Sequence, residues 1–230
     1  MNREEEIAAN LEAVQARIDA ACDAAGRPRG AVRLLAVSKT YPADDVIAAA
    51  RYGQRLFGEN RVQEALRKIP LCPSRLEWHL IGHLQSNKAA AAAAHFDWVH
   101  SVDSLDLLLR LERDAAQLGH RLNVLLQVNV SGEISKSGMT PDALRDLAPR
   151  VGELRAVDVR GLMTIPPIAA DPEDARPHFR ALRLLRDEVA AREGFDWPEL
   201  SMGMTHDLAP AIAEGATIVR VGTGIFGPRG

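Results

Sequence analysis

The feature that most constrains the fold is a regular alternation of short apolar runs with longer helical segments. The apolar runs occupy residues 32–39, 55–58, 77–82, 97–102, 122–130, 157–165, 199–203 and 217–222. Predicted helices follow the first seven runs, near residues 42–53, 60–69, 84–94, 103–118, 141–150, 173–192 and 206–214. Alternating strands and helices predict a parallel sheet covered by helices, and eight repeats favour a closed barrel over an open sheet.

A further helix is predicted before the alternation begins. Residues 3–25 have helical spacing, with an apolar face made of Ile7, Leu11, Val14, Ile18 and Cys22. Gly26 and Pro28 then end the helix. We therefore predict an α/β fold over residues 1–230: a single (β/α)8 TIM-type barrel domain, with residues 1–28 as an extra N-terminal helix.

Charge and composition exclude several classes of protein. The 28 Lys and Arg residues are outnumbered by 31 Asp and Glu residues, so the excess positive charge that nucleic-acid binding requires is missing. No apolar run approaches the roughly 20 residues of a membrane span, and MNREEEIAAN has acids where a signal peptide is basic. Cys22 and Cys72 suggest neither a disulfide framework nor a zinc site. We predict a cytoplasmic protein with no nucleic-acid or membrane partner.

Polar residues at the ends of the apolar runs are the candidate site residues, because barrels of this type place their sites at the carboxyl ends of the strands. Lys39 ends the most apolar run, VRLLAVSK. Apolar neighbours disfavour a charged amine, which leaves a nucleophile able to attack an aldehyde. A solvent-exposed lysine is the alternative interpretation. His83, after EWHLIG, either contacts a ligand or caps the helix that follows.

The loops after the seventh and eighth runs have the small residues that suit phosphate binding by backbone N–H groups. SMGMTHD contains Ser201 and Thr205, and VGTGIFG places three glycines, among them Gly222, around Thr223. The alternatives are a helix cap at Thr205 and tight turns at the glycines. Arg220, inside TIVRVG, needs a partner if it is buried, and either a pyridine nitrogen or an acid would serve.

Seven motifs, in order, resemble those of the pyridoxal phosphate homeostasis proteins. The motifs are AVSKTYP, FGENRVQEA, WHLIGHLQSNK, VNVSGEISKSGM, GLMTIPP, LSMGMTHD and VRVGTGIFGPR, and they run from about residue 30 to the C-terminus. The family usually has Ser where Thr205 stands, and a threonine keeps the hydroxyl group. TGIFG likewise replaces the more usual TAIFG.

This resemblance implies pyridoxal 5′-phosphate (PLP) as cofactor and a barrel like that of alanine racemase, without the β-domain of the racemase. The implied cofactor-binding residues are Lys39, Asn60, Met163, Ser201, Thr205, Arg220, Gly222 and Thr223. Lys39 would carry the cofactor as a Schiff base, and Arg220 would face its pyridine nitrogen. Asn60 and Met163 would line the pocket near the ring. The remaining four residues would form the phosphate cup.

The resemblance also implies a carrier that passes the cofactor to apo-enzymes. An arginine at the pyridine nitrogen makes the ring a weaker electron sink than an acid would. Racemases with such an arginine use a lysine and a tyrosine as opposed bases, and the tyrosine comes from the second domain of a partner subunit. This chain has only Tyr41 and Tyr52, and Tyr41 lies too close to Lys39 in sequence to reach the opposite face of the ring easily.

Three further points stay open at this stage. A small PLP-dependent amino-acid racemase is the alternative to the carrier, and a barrel that binds a phosphorylated metabolite non-covalently is another. Lys136 is either a secondary contact at the barrel mouth or a solvated loop residue. Without the β-domain through which the racemase dimerises, the chain is predicted to be a monomer.

Overall fold

The barrel expected from the alternation is present in the computed structural model, which describes residues 2–133 and 136–228. Within these residues, eight parallel strands pair in chain order, and the last pairs with the first to close the barrel. The strands are β1 (Arg33–Val37), β2 (Leu56–Glu59), β3 (Glu77–Leu80), β4 (Trp98–Val102), β5 (Leu122–Gln127), β6 (Val157–Met163), β7 (Glu199–Met204) and β8 (Ile218–Val221). Ile134, Ser135 and Arg229, which belong to two of the motifs, lie outside the described residues.

Helices follow the strands around the outside of the barrel. The α-helices are α1 (Arg3–Ala24), α2 (Ala43–Arg51), α3 (Val62–Lys68), α4 (Ala89–His95), α5 (Leu105–Leu118), α6 (Pro141–Leu147), α7 (Arg176–Glu193), α8 (Leu208–Ala213) and α9 (Thr223–Phe226). Short 3₁₀ turns cover Arg29–Ala31, Ile69–Leu71, Ser86–Lys88, Ala148–Glu153 and Pro172–Ala175. The one-turn helix α9 was not predicted, because its glycines had indicated a loop. No helix among the described residues is long and apolar enough to cross a membrane.

Several strands end before the apolar runs that predicted them. β1 stops at Val37, although its run continues to Lys39, and β5 stops at Gln127, although its run continues to Val130. The polar residues at these carboxyl ends leave the sheet and enter the loops above it. This difference matters for function, because it places Lys39 in a loop at the barrel mouth.

The apolar side chains form two separate packing regions. A small cluster fills the barrel interior and consists of Leu35, Val37, Ile81, Trp98, Leu125, Met163 and Ile218. A much larger cluster lies between the strands and the surrounding helices. The alanine-rich helix α4 packs there with Ala89, Ala92 and Ala93 fully buried, which agrees with the prediction that it is a helix packed closely on the barrel.

The N-terminal helix α1 packs against the barrel and reaches the elements near its mouth. Its cap is a reciprocal pair, since the side chain of Asn2 accepts from the Glu5 amide and the Glu5 carboxylate accepts from the Asn2 amide. Its apolar face contacts α2, α8 and α9. Asn10 also donates to the Ile225 carbonyl at 2.9 Å, so α1 is fastened to the last helix of the chain.

Candidate functional site

A cavity of about 340 Å³ lies at the carboxyl ends of the strands. Six of the eight residues predicted to bind the cofactor line it: Lys39, Asn60, Thr205, Arg220, Gly222 and Thr223. The loop between β6 and α7 forms another part of the wall and contributes Ile165, Pro167 and Ile168. Residues from the two ends of the sequence and from its middle therefore meet around one space.

Lys39 is half-buried and lies directly after β1, in a loop whose backbone is held on both sides. The next residue, Thr40, has a φ of 71°, a left-handed conformation that β-branched residues rarely adopt. The carboxylate of Glu64 on α3 accepts from the Thr40 amide. On the other side of Lys39, the Ser38 carbonyl accepts from the ammonium group of Lys68 at 2.7 Å. Helix α3 thus fixes the loop that presents Lys39.

Lys68 belongs to a buried charged cluster beneath this loop. Its Nζ atom donates to Glu59 Oε1 at 2.6 Å, and the same oxygen accepts from the Ser38 hydroxyl at 2.7 Å. Burial raises the pKa of Glu59, and the hydrogen bond from Lys68 opposes that shift. Glu59 Oε2 is buried with no hydrogen-bond partner among the described residues. The sequence interpretation missed Lys68, because its four-residue spacing from Glu64 is typical of an exposed ion pair on a helix.

Arg220 is buried at the base of the cavity and points into the barrel mouth. Its guanidinium donates through Nη1 to the Ser201 hydroxyl at 2.7 Å and through Nη2 to the Thr164 carbonyl at 2.9 Å. Burial lowers the pKa of Arg220 to about 10. Among the described residues no acid forms a salt bridge with Arg220, although the charge of Asp207 opposes this lowering of its pKa. These bonds use two of the five N–H donors of an arginine.

The two loops predicted to bind phosphate lie side by side. A Cβ atom added to Gly224 would lie 2.9 Å from Val221 Cγ1 and 3.1 Å from Thr205 Cγ2, so the two loops approach each other closely and an alanine here would have to displace these side chains slightly. Thr205 does not cap α8, because Asp207 occupies the cap position and its Oδ1 accepts from the Met204 amide at 2.6 Å. The Thr205 hydroxyl is therefore not used as a helix cap.

Ser201 and Met163 are not among the residues that line this cavity, and their predicted roles in binding the cofactor stay predictions. Both are fully buried, and they are register partners of each other, while Ser201 also pairs with Ile218. Arg220 pairs with Met204 instead, so Ser201 and Met163 lie one layer deeper in the barrel. Met163 packs in the interior apolar cluster. The Ser201 hydroxyl is occupied by Arg220 and by His100 Nδ1, at 2.7 and 3.0 Å.

The remaining candidates lie at the edge of the site. His83 is exposed, with its Nδ1 atom 3.3 Å from Asp103 Oδ2, and it caps no helix. His83 and Lys136 line a smaller pocket of about 250 Å³, which shares Asn60 with the main cavity. Tyr41 donates to the Gly227 carbonyl at 2.6 Å, and Tyr52 is half exposed. Neither tyrosine lines the main cavity.

The residues around the cavity are chemically matched to a phosphorylated aldehyde with a basic ring nitrogen. Lys39 provides a primary amine. Arg220 is a buried cation that can donate but cannot accept a hydrogen bond, which suits the lone pair of an unprotonated ring nitrogen. Thr205, Gly222 and Thr223 present hydroxyl and backbone groups at the loops where a barrel commonly binds phosphate. A cavity of about 340 Å³ is within the size range of small-ligand sites.

Comparison with known proteins agrees with this chemistry. Residues 9–230 match the family model of the alanine racemase N-terminal domain. The pyridoxal phosphate homeostasis protein of Pseudomonas aeruginosa is 50% identical over 224 residues, covering 97% of this chain and 96% of that protein. The protein of the same name from Aquifex aeolicus is 45% identical over 220 residues, covering 95% of this chain and 96% of that protein.

A solved structure also resembles the whole fold closely. PipY of Synechococcus elongatus PCC7942, determined with PLP bound, superposes with a TM-score of 0.85. It is 41% identical, and the match covers 96% of this chain and 99% of the PipY chain. The similarity therefore extends over the barrel, the N-terminal helix and the loops that line the cavity.

Proposed function

This chain belongs to the family of pyridoxal phosphate homeostasis proteins, and on that premise we propose that it binds PLP in the cavity at the barrel mouth and acts as a reversible carrier of the cofactor. The observation that carries this proposal is the convergence of Lys39, Arg220 and the two phosphate-type loops on one cavity. These groups come from the ends of β1, β7 and β8, and together they match the aldehyde, the ring nitrogen and the phosphate of one molecule.

We assign the role of attachment point to Lys39. When bound, PLP supplies an aldehyde that condenses reversibly with primary amines. The Lys39 amine forms one carbon–nitrogen double bond and one water molecule leaves, so the bond is reversed when water returns. Reversibility is what a carrier requires. The tethered loop around Lys39 holds the amine at the cavity wall throughout.

The other polar residues orient the cofactor. Arg220 donates toward the ring nitrogen and, since it cannot give up its proton to the ring as an acid can, it leaves the ring a weak electron sink. Thr205, Gly222 and Thr223 hold the phosphate, and Asn60 lies beside the ring. Ser201 and Met163 act from the layer below, Ser201 through its hydrogen bond to Arg220 and Met163 through packing.

Two features support a role without catalytic turnover. Racemases with this type of barrel use a tyrosine as the second base, opposite the lysine, and neither tyrosine of this chain lines the cavity. The weak electron sink also disfavours carbanion chemistry. We propose that apo-forms of PLP-dependent enzymes are the recipients, and that the protein is a cytoplasmic monomer. Sustained turnover of any common amino acid by the loaded protein would contradict the carrier proposal.

Lys39→Ala is expected to abolish the covalent adduct at that position. Purified protein is mixed with PLP, its visible absorbance is recorded, and the adduct is reduced with borohydride and located by peptide mapping. The chain has four lysines, Lys39, Lys68, Lys88 and Lys136, so the map distinguishes a specific site from general lysine reactivity. In the wild type the modification is expected at Lys39.

Lys136→Ala is the matched control, because Lys136 is the other lysine that lines a pocket at the mouth. It is expected to keep the wild-type adduct and spectrum. Reduction products spread over several lysines would refute Lys39 as the attachment point. Saturable binding with no reducible adduct would instead indicate a non-covalent phosphate site.

A further inference from the structure

A chain of hydrogen bonds runs through the barrel interior from the base of the cavity to the opposite end of the strands. It starts at Arg220, whose Nη1 atom is 2.7 Å from Ser201 Oγ. It continues from Ser201 Oγ to His100 Nδ1 at 3.0 Å and from His100 Nε2 to His79 Nδ1 at 2.8 Å. It ends where His79 Nε2 lies 3.1 Å from Oε1 of Glu77, the first residue of β3.

The two ends of this chain determine the direction of every bond in it. An arginine can only donate, so the Ser201 oxygen accepts from Arg220, and its own proton is directed to His100 Nδ1. His100 then has its proton on Nε2 and donates to His79 Nδ1. His79 likewise has its proton on Nε2 and donates to Glu77, where a carboxylate can only accept.

The opposite direction leaves a conflict at Glu77. If His100 donated from Nδ1 to Ser201, then His79 would have to donate from Nδ1 to His100. His79 Nε2 would then present a lone pair to the Glu77 carboxylate, unless one of the two took up an extra proton. The contact with His79 and the positive charge of Arg33 both lower the pKa of Glu77, and the charge of Arg33 favours the ionised carboxylate whichever way the histidines point their protons. Burial lowers the pKa of both histidines, so neither readily takes up a second proton.

The surroundings explain why these polar groups need each other. His79, His100 and Ser201 are fully buried. The ring of Trp98 stacks on His79, with centroids 5.6 Å apart and planes 5° from parallel. A buried polar group without a partner is costly, and in the one-way arrangement the Ser201 hydroxyl and all four ring nitrogens of His79 and His100 are paired.

We propose that Ser201, His100 and His79 are positioning residues for Arg220, and that Glu77 fixes the direction of this hydrogen-bond chain from its far end. The chain holds the guanidinium plane so that its remaining donors face the cavity. The effect of this hydrogen-bond chain on the cofactor rests on the proposed function. The direction in which its hydrogen bonds point is a property of the protein alone.

The direction is tested first, on wild-type protein without cofactor. Long-range proton–nitrogen correlation NMR of protein labelled with ¹⁵N in histidine distinguishes a protonated from an unprotonated ring nitrogen. At neutral pH, His79 and His100 are both expected as neutral rings with the proton on Nε2. Finding either ring protonated on Nδ1, or on both nitrogens, would overturn the proposal. No substitution is needed for this measurement, so misfolding of a variant cannot obscure it.

The positioning role is tested with His100→Asn and His100→Leu, which have nearly the same size and shape. The amide oxygen of asparagine lies near the place of Nδ1 and can accept the Ser201 proton, whereas leucine cannot. His100→Leu is expected to weaken PLP binding about tenfold or more and to shift the absorbance of the bound cofactor. His100→Asn is expected to keep most of the wild-type affinity for PLP and most of the wild-type absorbance. Equal losses in the two variants would contradict the positioning role.

These outcomes separate the inference from the proposed function. If wild-type protein forms no adduct at Lys39, the proposed function fails, while the NMR result still decides the direction of the chain. If the adduct forms and the histidines carry their protons on Nδ1, the function stands and the inference fails.

Discussion

At the scale of single residues, burial separates two lysines that look equivalent in the sequence. Lys39 follows an apolar strand and lines the cavity, as predicted from its position at a strand end. Lys68 lies on a short helix with the spacing of a surface ion pair, yet it is only 6% exposed and donates to Ser38 and Glu59. These two partners of Lys68 lie in the loop after β1 and at the end of β2, and the local spacing of residues on a helix does not predict such distant contacts.

Lys68→Met is expected to lower the free energy of unfolding by about 3–5 kcal/mol, because it leaves the buried Glu59 carboxylate without its cation. Adding Glu59→Gln should recover part of this loss, since the buried charge is then removed. Both can be measured by urea unfolding, together with the yield of adduct at Lys39. Lys88→Met is the control and is expected to change stability by less than about 0.5 kcal/mol. A fully stable Lys68→Met protein would show that the cluster does not support the loop.

At the scale of elements, the register between strands decides which residues reach the cavity. The pairing of β7 with β8 shifts between Ser201 and Met204, and this shift places Arg220 one layer above Ser201. The pairing of β5 with β6 also shifts, so that Val124 pairs with Val159 and Leu125 with Gly161. Strand positions alone did not predict these shifts, because each depends on the contact between two strands.

Gly161 occupies a conformation and a space that exclude a side chain. Its φ is 147°, and an added Cβ would lie 2.0 Å from the Glu199 carbonyl oxygen in the neighbouring strand. Gly161→Ala is therefore expected to lower the free energy of unfolding by about 2–5 kcal/mol, through strain and overpacking together.

Gly30→Ala is the matched control, because nothing lies within 4 Å of its added Cβ and no left-handed φ is involved. Denaturant unfolding of the two variants tests the difference. Similar stabilities would mean that β6 adjusts its register to accept the methyl group.

At the scale of the whole molecule, the barrel buries two neutral histidines, and this links its stability to pH. Burial lowers the pKa of His79 and His100 below the ordinary value of 6.5, so the unfolded chain binds protons at a higher pH than the folded one. Their contribution to stability is full above that value and is lost as the pH falls below it. The free energy of unfolding is expected to fall by up to about 1.4 kcal/mol per pH unit for each histidine.

The comparison of wild type with His100→Leu checks this linkage. Denaturant unfolding between neutral and mildly acidic pH should show a shallower dependence in the variant, which has lost one of the two buried imidazoles. The hydrogen-bond chain from Arg220 to Glu77 underlies both this prediction and the proposed orientation of Arg220. An unchanged pH dependence would mean that His100 takes up no proton when the protein unfolds in this pH range.

The sequence by itself determined the architecture and the location of the site. The alternation of apolar runs and helices can be read from the local sequence. Eight such units close into a parallel barrel, in which the polar residues at the carboxyl ends of the strands meet at one mouth. Lys39, Asn60, Arg220 and the two glycine-containing loops were predicted to surround one site for this reason, and they line one cavity. The seven motifs identified the family, and the comparisons confirm it.

Only the tertiary structure decided how deep each inward-facing residue lies and which partner it has. Met163 and Ser201 follow the same strand-end pattern as Arg220, but the strand registers place them one layer below it. The connection from Arg220 to Glu77 joins residues of four strands. Such contacts depend on the register of several strands at once, and a local sequence pattern contains no measure of that register.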